Sequence, residues 1–280
     1  MKVYKTVRGI TAELEKLRKE GKSVGLVPTM GALHDGHLSL VNKCVAENDV
    51  CVVSIFVNPT QFNNQTDLEK YPRTVEADIK LLQNAKCAIA FTPTVKQIYP
   101  KPDKRVFDFS PLDKVMEGPA RPGHFNGVGQ VVSRLFDIVK PDKAYFGEKD
   151  FQQLAIIRKM VKDYNYPIEI IGCPIVREES GLALSSRNAR LSQSELKTAV
   201  KISKALFESQ KMIGEKSLKD VKEWVVKKIN EDPILQVEYF EIVDSYSLQP
   251  VAEWSDSENI HGCITVYCGE VRLIDNIKYK

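Results

Sequence analysis

Several features are scarce or missing in this chain of 280 residues. Its six cysteines form no CxxC pair and most lie in apolar runs, which predicts reduced core thiols rather than a disulfide framework. No apolar run approaches about 18 residues, and the N-terminus has no apolar signal core. Charge of one sign is also lacking, since 40 basic and 37 acidic residues give a formal net charge of +3. We therefore expect a cytoplasmic protein with no membrane segment and no extended nucleic-acid surface.

The composition is that of a globular chain, with 43% hydrophobic and 28% charged residues. A domain prior of one per ~150 residues predicts roughly two domains. A chain of this size buries about three-quarters of the surface of its unfolded form, so its core needs no disulfide or metal to hold it together.

The first two-thirds of the chain alternates short β-branched runs with helical patterns, which predicts βαβ units and a parallel sheet. The predicted strands are Val24–Val27, Val50–Val57, Cys87–Phe91, Ala144–Phe146 and Ile168–Val176. The predicted helices are Leu38–Ala46, Thr74–Asn84, Val128–Val139 and Phe151–Asp163. The segment from Tyr99 to Gly127 is dense in Pro, Gly and charge, and we expect a loop there that is either functional or disordered.

After Asn188 the pattern changes to two amphipathic helices, Ser192–Met212 and Leu218–Ile229, followed by strand-like runs. Ser192 with Glu195 and Ser217 with Asp220 predict the N-terminal caps of the two helices. The strand-like runs are Val237–Val243, Cys263–Tyr267 and Glu270–Ile274. We therefore predict an α/β domain over residues 1–184 and a smaller α+β domain, acting as a lid, over residues 185–280.

The segment Pro28–His37 follows the first predicted strand and opens the first long helix. In an open α/β sheet this is where ligands bind, and backbone N–H groups at a helix N-terminus favour phosphate. Gly31 and Gly36 permit a tight turn, while His34 and His37 are spaced to share one side of a helix. The alternatives are an ordinary turn with two surface histidines or part of a metal site, although there is no HExxH or cysteine ligand. A dinucleotide fingerprint is not present, because GxGxxG is missing.

Three other polar groups follow predicted strands. Asn58 and Gln61 offer neutral amides for a hydroxy acid, with turn capping as the alternative for Asn58. Lys149, in the run Gly147–Asp150, supplies a mobile positive charge for phosphates, and Asp150 is either a cap or a ligand of Mg²⁺ or ribose. The run Ser185–Arg187 has the hydroxyls and guanidinium that suit a polyphosphate, although alone it reads as a polar linker.

The segment Thr29–His37 resembles the HIGH signature of nucleotidyl-transferring enzymes with Rossmann-like folds. More closely, it resembles the pantothenate synthetase (pantoate–β-alanine ligase) family. Five further blocks match that family in order and spacing over roughly residues 20 to 190: Phe56–Phe62, Tyr71–Thr74, Arg121–Phe125, Gly147–Gln153 and Leu184–Asn188. Many relatives have Met at the position of Leu184, a volume-conserving difference.

The resemblance implies an ATP-dependent ligase that forms pantothenate from pantoate and β-alanine through a pantoyl adenylate, releasing AMP and pyrophosphate. It implies that ATP contacts Met30, Gly31, Ala32, Leu33, His34, Asp35, Gly36, His37, Gly147, Glu148, Lys149, Asp150, Val176, Leu184, Ser185, Ser186 and Arg187. Gln61 is implied to contact both pantoate and β-alanine, Gln153 is implied to contact pantoate, and His37 is implied to be the acid-type residue. Asn58 is added as a substrate-binding candidate because of its neutral amide. His34, Lys149 and the Ser185–Arg187 run are implied to stabilise the phosphates during reaction.

The resemblance also implies a homodimer and Mg²⁺ bound with the triphosphate, whose protein ligand we do not assign. His124 receives no role from sequence. Two other classes fit the HxGH turn alone: a simple nucleotidyltransferase, whose product retains the nucleotide, and a nucleotide-binding regulatory protein without catalysis.

Overall fold

The computed structural model describes residues 1–280, which divide into two compact units. The first unit comprises Met1–Phe109, Arg121–Glu148 and Ile156–Pro174. The second comprises Ser110–Ala120, Lys149–Ala155 and Ile175–Lys280. A domain boundary after residue 184 stays a prediction. None of the helices combines the length and the apolar character that crossing a membrane requires.

The first unit is built on a six-stranded sheet with the order β1-β4-β3-β2-β5-β6, in which every neighbouring pair is parallel. Its strands are β1 (Lys2–Tyr4), β2 (Val24–Thr29), β3 (Val50–Ile55), β4 (Ile89–Phe91), β5 (Lys143–Gly147) and β6 (Glu169–Cys173). The α/β class with a parallel sheet, predicted from the alternation of strands and helices, is confirmed.

Eight helices lie between β1 and β6 along the chain: α1 (Val7–Lys19), α2 (Asp35–Glu47), α3 (Gln65–Lys70), α4 (Val75–Asn84), α5 (Val95–Ile98), α6 (Glu117–Ala120), α7 (His124–Val139) and α8 (Phe151–Asp163). Neither β1 nor α1 was predicted, because the first element predicted from the sequence is the strand at Val24. Within the predicted loop 99–127, α6 and the first turn of α7 are helical.

The apolar runs of β2 and β3 explain why these strands are central. All six residues of β3 are buried, and only Pro28 of β2 is partly exposed. A strand covered on both faces is typical of a parallel sheet with helices on either side. Here α2 contacts α4 and β2, while α7 contacts α1 and the same strand. The thiols of Cys44, Cys51 and Cys87 are free and buried in this core, as predicted for small apolar side chains.

The order of the strands determines where a ligand would lie. The chain passes from β2 to β3 on one side, whereas β5 pairs with β2 on the other, so the switch point of the sheet lies between β2 and β5. Ligands of open α/β sheets bind at the carboxyl edge beside such a point. The turn 30–34 leaves β2 at that edge, and Gly147 ends β5 there.

The second unit contains helices α9 (Gln193–Gln210) and α10 (Leu218–Asn230) and an antiparallel sheet. The strands of the sheet are β7 (Leu235–Asp244), β8 (Ile260–Cys268) and β9 (Val271–Lys278), in that order. The two predicted caps are confirmed: Ser192 and Glu195 form a capping box at α9, and the Ser217 hydroxyl accepts from the backbone of Asp220. The α+β character of this part is therefore confirmed.

Buried polar contacts tie two short segments into the second unit. Gln152 Nε2 donates to the carbonyls of Leu112 and Val115, at 2.7 and 2.8 Å, and its Oε1 accepts from the backbone of Glu117. The Glu117 carboxylate in turn accepts from both terminal nitrogens of Arg272, at 2.9 and 2.6 Å, and from the Tyr239 hydroxyl at 2.7 Å. Desolvation, with the Glu117 charge beside it, raises the pKa of Tyr239.

His261 on β8 is a half-buried titratable group in this unit. Its ring stacks on Phe151 with centroids 4.0 Å apart, and its Nδ1 lies 3.0 Å from the Ser245 hydroxyl. Desolvation, together with the nearby Lys278 ammonium, lowers its pKa from 6.5 to about 4. In the folded protein the His261 ring is therefore neutral down to about pH 4.

We expect this histidine to make the protein less stable in mild acid. Between pH 6.5 and 4 the unfolded chain binds a proton that folded His261 does not, so the free energy of unfolding falls as pH falls through this window. The shift corresponds to roughly 3 kcal/mol. Urea unfolding at pH 7 and pH 4 should show a loss larger by about this amount in the unsubstituted protein than in His261→Gln. Equal losses in both proteins would refute the assignment.

Candidate active site

The turn that leaves β2 has an unusual backbone. Gly31 and Ala32 both have positive φ, at +83° and +50°, so the chain bends sharply before α2 begins. A Cβ at position 31 would lie 3.0 Å from both Asp78 Oδ2 and Ile55 Cγ2. Glycine at 31 therefore meets both a conformational and a spatial requirement.

Two buried acceptors hold this turn. The Thr29 hydroxyl accepts from the Gly31 N–H at 3.2 Å. Asp78, which lies on α4 and is 1% exposed, accepts from the Ala32 N–H at 3.0 Å and from the Leu33 N–H at 2.8 Å. The conformation of the turn thus depends on a carboxylate that is distant in sequence.

His34 and His37 cap α2 reciprocally. His34 is the N-cap residue, and its Nδ1 accepts from the Gly36 N–H at 3.1 Å. His37 Nδ1 accepts from the His34 N–H at 3.4 Å, and the two rings are 4.1 Å apart. A neutral imidazole whose Nδ1 accepts carries its proton on Nε2. Each ring is therefore set to donate through Nε2.

These contacts change how the turn can bind an anion. Gly31, Ala32, Leu33, His34 and Gly36 all donate their backbone N–H groups to acceptors within the protein. The prediction that N–H groups of this turn bind phosphate stays a prediction, and in the structure these five N–H groups already have acceptors within the protein. The imidazoles, rather than these amides, are the donors that the turn offers.

The turn after β3 orients a second polar side chain, Gln61. Asn58 caps the 3₁₀ turn Pro59–Gln61, is 1% exposed, and donates through Nδ2 to Gln61 Oε1 at 3.1 Å. Gln61 Nε2 points to Met30 Sδ at 3.2 Å, and sulfur is a weak acceptor. The capping role left open for Asn58 is thus present, and the amide of Gln61 is oriented with its nitrogen as the donor.

The N-terminus of α7 fixes the backbone of Gln61. The Gln61 carbonyl accepts from His124 Nδ1 at 2.8 Å and lies 3.5 Å from Arg121 Nη2. Arg121 Nη1 also lies 3.2 Å from His124 Nε2, so the guanidinium donates to one ring nitrogen while the other donates to the carbonyl. His124 is 6% exposed, and its buried contact explains a residue that had no role from sequence.

In the second unit, Lys149 and Asp150 end a 3₁₀ turn that leads into α8. The buried amide of Asn276, on β9, donates to the Lys149 carbonyl at 3.0 Å. This fixes the Lys149 backbone while its ammonium group forms no ion pair with the protein. Asp150 is exposed, and Gln153 is half-buried where its neighbour Gln152 is buried.

A short hairpin in the second unit contains two further residues that are predicted to contact the nucleotide, Val176 and Leu184. The Leu184 N–H donates to the Val176 carbonyl at 3.0 Å. Inside the hairpin, Arg177 forms a bidentate ion pair with Asp275, at 2.7 and 2.8 Å. The hairpin is thereby attached to β9, the strand that also holds the Lys149 backbone.

The residues that are predicted to bind the polyphosphate follow this hairpin directly in the sequence. The Ser185 hydroxyl accepts from the Arg187 N–H at 3.3 Å and caps the 3₁₀ turn Ser186–Arg190. Ser185, Ser186 and Arg187 are all partly exposed. Their polar side chains therefore meet solvent at the end of the hairpin.

Neither unit contains three or more His, Cys, Asp or Glu side chains arranged to hold a metal ion. The alternative of a transition-metal site at His34 and His37 has no third ligand in the structure. A divalent cation at this site would take most of its ligands from a bound phosphate and water.

Three residues that matter for this geometry were missed by the sequence reasoning: Asp78, His124 as a partner of Gln61, and Asn276. A buried carboxylate at Asp78 carries no local signal, because its partners lie about 45 residues earlier in the chain. The block Arg121–Phe125 contains His124, but spacing alone does not show that a side chain faces a backbone carbonyl.

Comparison with known proteins agrees with these features. The chain matches the model of a family described as pantoate-beta-alanine ligase over residues 2–278. A protein of Bacteroides thetaiotaomicron named pantothenate synthetase is 60% identical over 280 residues, which cover 100% of this chain and 99% of that protein. A protein of the same name from Porphyromonas gingivalis is 56% identical over the full length of both chains.

Two solved structures share the whole fold. A pantothenate synthetase from Thermus thermophilus has a TM-score of 0.93 and 41% identity, covering 100% of this chain and 99% of its own. A pantoate-beta-alanine ligase from Francisella tularensis, in complex with beta-gamma ATP and β-alanine, has a TM-score of 0.84 and 37% identity. The second comparison covers 100% of this chain and 98% of that one.

The close approach of α7 to the Gln61 turn predicts that Gly127 tolerates no side chain. A Cβ at position 127 would lie 2.2 Å from the Thr60 carbonyl oxygen and 2.7 Å from Gln61 Cα, so the backbone must shift. Gly127→Ala should lower the free energy of unfolding by about 1–3 kcal/mol in urea.

Gly147→Ala is the matched control for this experiment. An added Cβ at that position has no atom within 4 Å, so its stability should change by less than about 0.5 kcal/mol. Equal stability of the two variants would contradict the packing described for Gly127.

Proposed function

Because the chain belongs to the pantoate–β-alanine ligase family, we propose that it joins (R)-pantoate to β-alanine in an ATP-dependent reaction with a pantoyl adenylate intermediate. The products are pantothenate, AMP and pyrophosphate. Support for ATP and β-alanine as substrates comes from the Francisella tularensis relative, whose complex contains β-alanine and an ATP ligand.

The reaction proceeds in two half-reactions. A pantoate carboxylate oxygen attacks the α-phosphorus of ATP, and the bond to the bridging oxygen of pyrophosphate breaks. The β-alanine amine then attacks the acyl carbon, loses a proton, and expels AMP as the leaving group. ATP is needed because a carboxylate is a poor electrophile, whereas AMP leaves far more readily than oxide. The protein therefore contributes positioning and stabilisation of charge more than covalent chemistry.

The observation that carries this proposal is the histidine pair at the switch point of the sheet. Reciprocal capping sets the proton of each neutral ring on Nε2, so both rings are donors at the start of α2. In the proposed reaction His34 and His37 donate to phosphate oxygens as negative charge shifts toward pyrophosphate. A donor that is oriented before the reaction needs no reorganisation during it.

Positive charge in this scheme comes from Lys149 and Arg187. We assign the β- and γ-phosphates to Lys149, Ser185, Ser186 and Arg187, whose ammonium, hydroxyl and guanidinium groups suit them. Support comes from the fixed Lys149 backbone and from the partly exposed serine–arginine turn. Val176 and Leu184, joined by a backbone hydrogen bond, are assigned to the adenine side.

The amides bind the organic substrates in this scheme. Gln61 donates through Nε2 to pantoate and β-alanine, and Gln153 contacts pantoate. Asn58 is assigned to the same pocket, where its observed contact orients Gln61. Neutral amides suit a substrate whose carboxylate must approach a negatively charged triphosphate.

Mg²⁺ and a partner subunit complete the proposal. Mg²⁺ would enter with the triphosphate and reduce its charge, because no cluster of protein ligands is built for the ion. We also propose a homodimer, by analogy with the family.

Pantoate-dependent exchange of labelled pyrophosphate into ATP isolates the first half-reaction. His37→Ala and Lys149→Ala should each lower the rate of exchange by about 10²–10³-fold, because each removes a donor to developing charge. Circular dichroism should show an intact fold. Lys162→Ala, which changes an exposed lysine on α8, is the matched control and should exchange at the normal rate.

Normal exchange in either active-site variant would defeat the corresponding assignment. Product analysis separates the other function classes: free AMP with an amide product identifies a ligase, whereas a product that retains the nucleotide identifies a nucleotidyltransferase. Binding of ATP without pantoate-dependent exchange would identify a regulatory protein.

A further inference from the structure

We propose that Asp78 is a positioning residue for the adenylation step, which it serves by holding the turn that carries His34 and His37. The inference rests on the proposed function for its catalytic consequence, and on the hydrogen bonds of the turn for its structural basis. Asp78 belongs to α4, outside the turn whose conformation it controls.

The carboxylate is committed to the turn by geometry. Its Oδ1 accepts from the Leu33 N–H at 2.8 Å, and its Oδ2 accepts from the Ala32 N–H at 3.0 Å. The Thr74 hydroxyl donates to Oδ1 at 3.1 Å. The side chain is 1% exposed and forms no ion pair. Hydrogen-bond donors, rather than a cation, therefore compensate this buried carboxylate.

The turn needs such an anchor because its backbone is costly. Ala32 has φ of +50°, a region that residues with a Cβ occupy at an energetic cost, and it follows Gly31 at +83°. Two charge-assisted bonds at residues 32 and 33 hold the conformation immediately before the N-cap of α2. His34 thus begins the helix in a geometry that the Asp78 carboxylate has imposed one residue earlier.

The anchor also determines which groups can meet an anion. With its carboxylate bonded to Ala32 and Leu33, these amides are withdrawn from ligand binding. The ring donors of His34 and His37 must then do this work, and their positions matter accordingly. A displacement of about 1 Å in a catalytic group can cost about 10²-fold in rate.

The informative substitution is Asp78→Asn, which keeps the shape of the side chain but turns one acceptor into a donor facing a backbone N–H. We expect pantoate-dependent pyrophosphate exchange to slow by about 10–100-fold, mainly in kcat, because alignment in the transition state is lost. Glu76→Gln, which neutralises an exposed acid on the same helix, should leave exchange within about twofold.

A double-mutant cycle separates positioning from general destabilisation. If Asp78 acts through the histidines, Asp78→Asn should add little to the defect of His37→Ala, since residues that act as a unit are not additive. Full multiplication of the two losses, or normal exchange in Asp78→Asn, would overturn the proposal.

A spectroscopic measurement tests the structural part independently of activity. Ring-nitrogen NMR shifts of His34 and His37 should report proton on Nε2 in the unsubstituted protein, and averaged tautomers in Asp78→Asn. Four histidines in the chain make assignment by single substitution practical. Unchanged ring shifts in Asp78→Asn would overturn the inference. Absence of exchange in the unsubstituted protein would instead refute the proposed function.

If Asp78→Asn does not fold, Asp78→Glu keeps the charge and moves the carboxylate by one methylene. Slower exchange and shifted ring signals in this variant would support the proposal. Normal exchange with normal ring shifts would refute it, because the exact reach of the carboxylate would then be irrelevant.

Discussion

The N–H groups of the largely half-buried turn between β2 and α2 find acceptors within the protein, and these hydrogen bonds organise the His34 and His37 part of the candidate site. An unpaired buried amide costs about 1–3 kcal/mol, which applies in full to the Gly31 N–H and in part to the half-buried amides that follow it. Thr29, Asp78 and the two histidine rings supply the acceptors. The imidazoles thereby serve the fold through Nδ1 and are oriented as donors through Nε2 by the same contact.

This arrangement differs from a glycine-rich loop that surrounds phosphate with its own amides. There, binding depends mainly on backbone conformation, and many side chains are tolerated. Here the amides at positions 31–34 and 36 are used internally, so recognition of an anion shifts to side chains. The identity of residues 34 and 37 then matters more than the number of glycines in the turn.

The sequence was sufficient where a structural signal is local. The β-branched runs of β2 and β3 predict buried parallel strands, and Ser192 with Glu195 predicts a helix start, because the interacting groups are close in sequence. Prediction from the sequence failed where the interacting residues are distant along the chain. The Glu117–Arg272 ion pair joins residues 155 positions apart, and neither residue lies in a pattern that indicates burial. The short β1 was missed because its only sheet neighbour is β4, at the edge of the sheet, and its residues remain largely exposed.

Gln152 and Gln153 belong to the same sequence block, but the structure gives them different roles. Gln152 uses both ends of its amide to hold the segment that contains Leu112 and Glu117, whereas Gln153 is half-buried and has no such duty. Asn276 likewise donates to the carbonyl of Lys149, while the ammonium group of Lys149 forms no ion pair. In each case a buried amide satisfies the backbone, which keeps the neighbouring polar group available for a ligand. The side chains that would do chemistry therefore depend on less conspicuous residues beside them, as the histidine pair depends on Asp78.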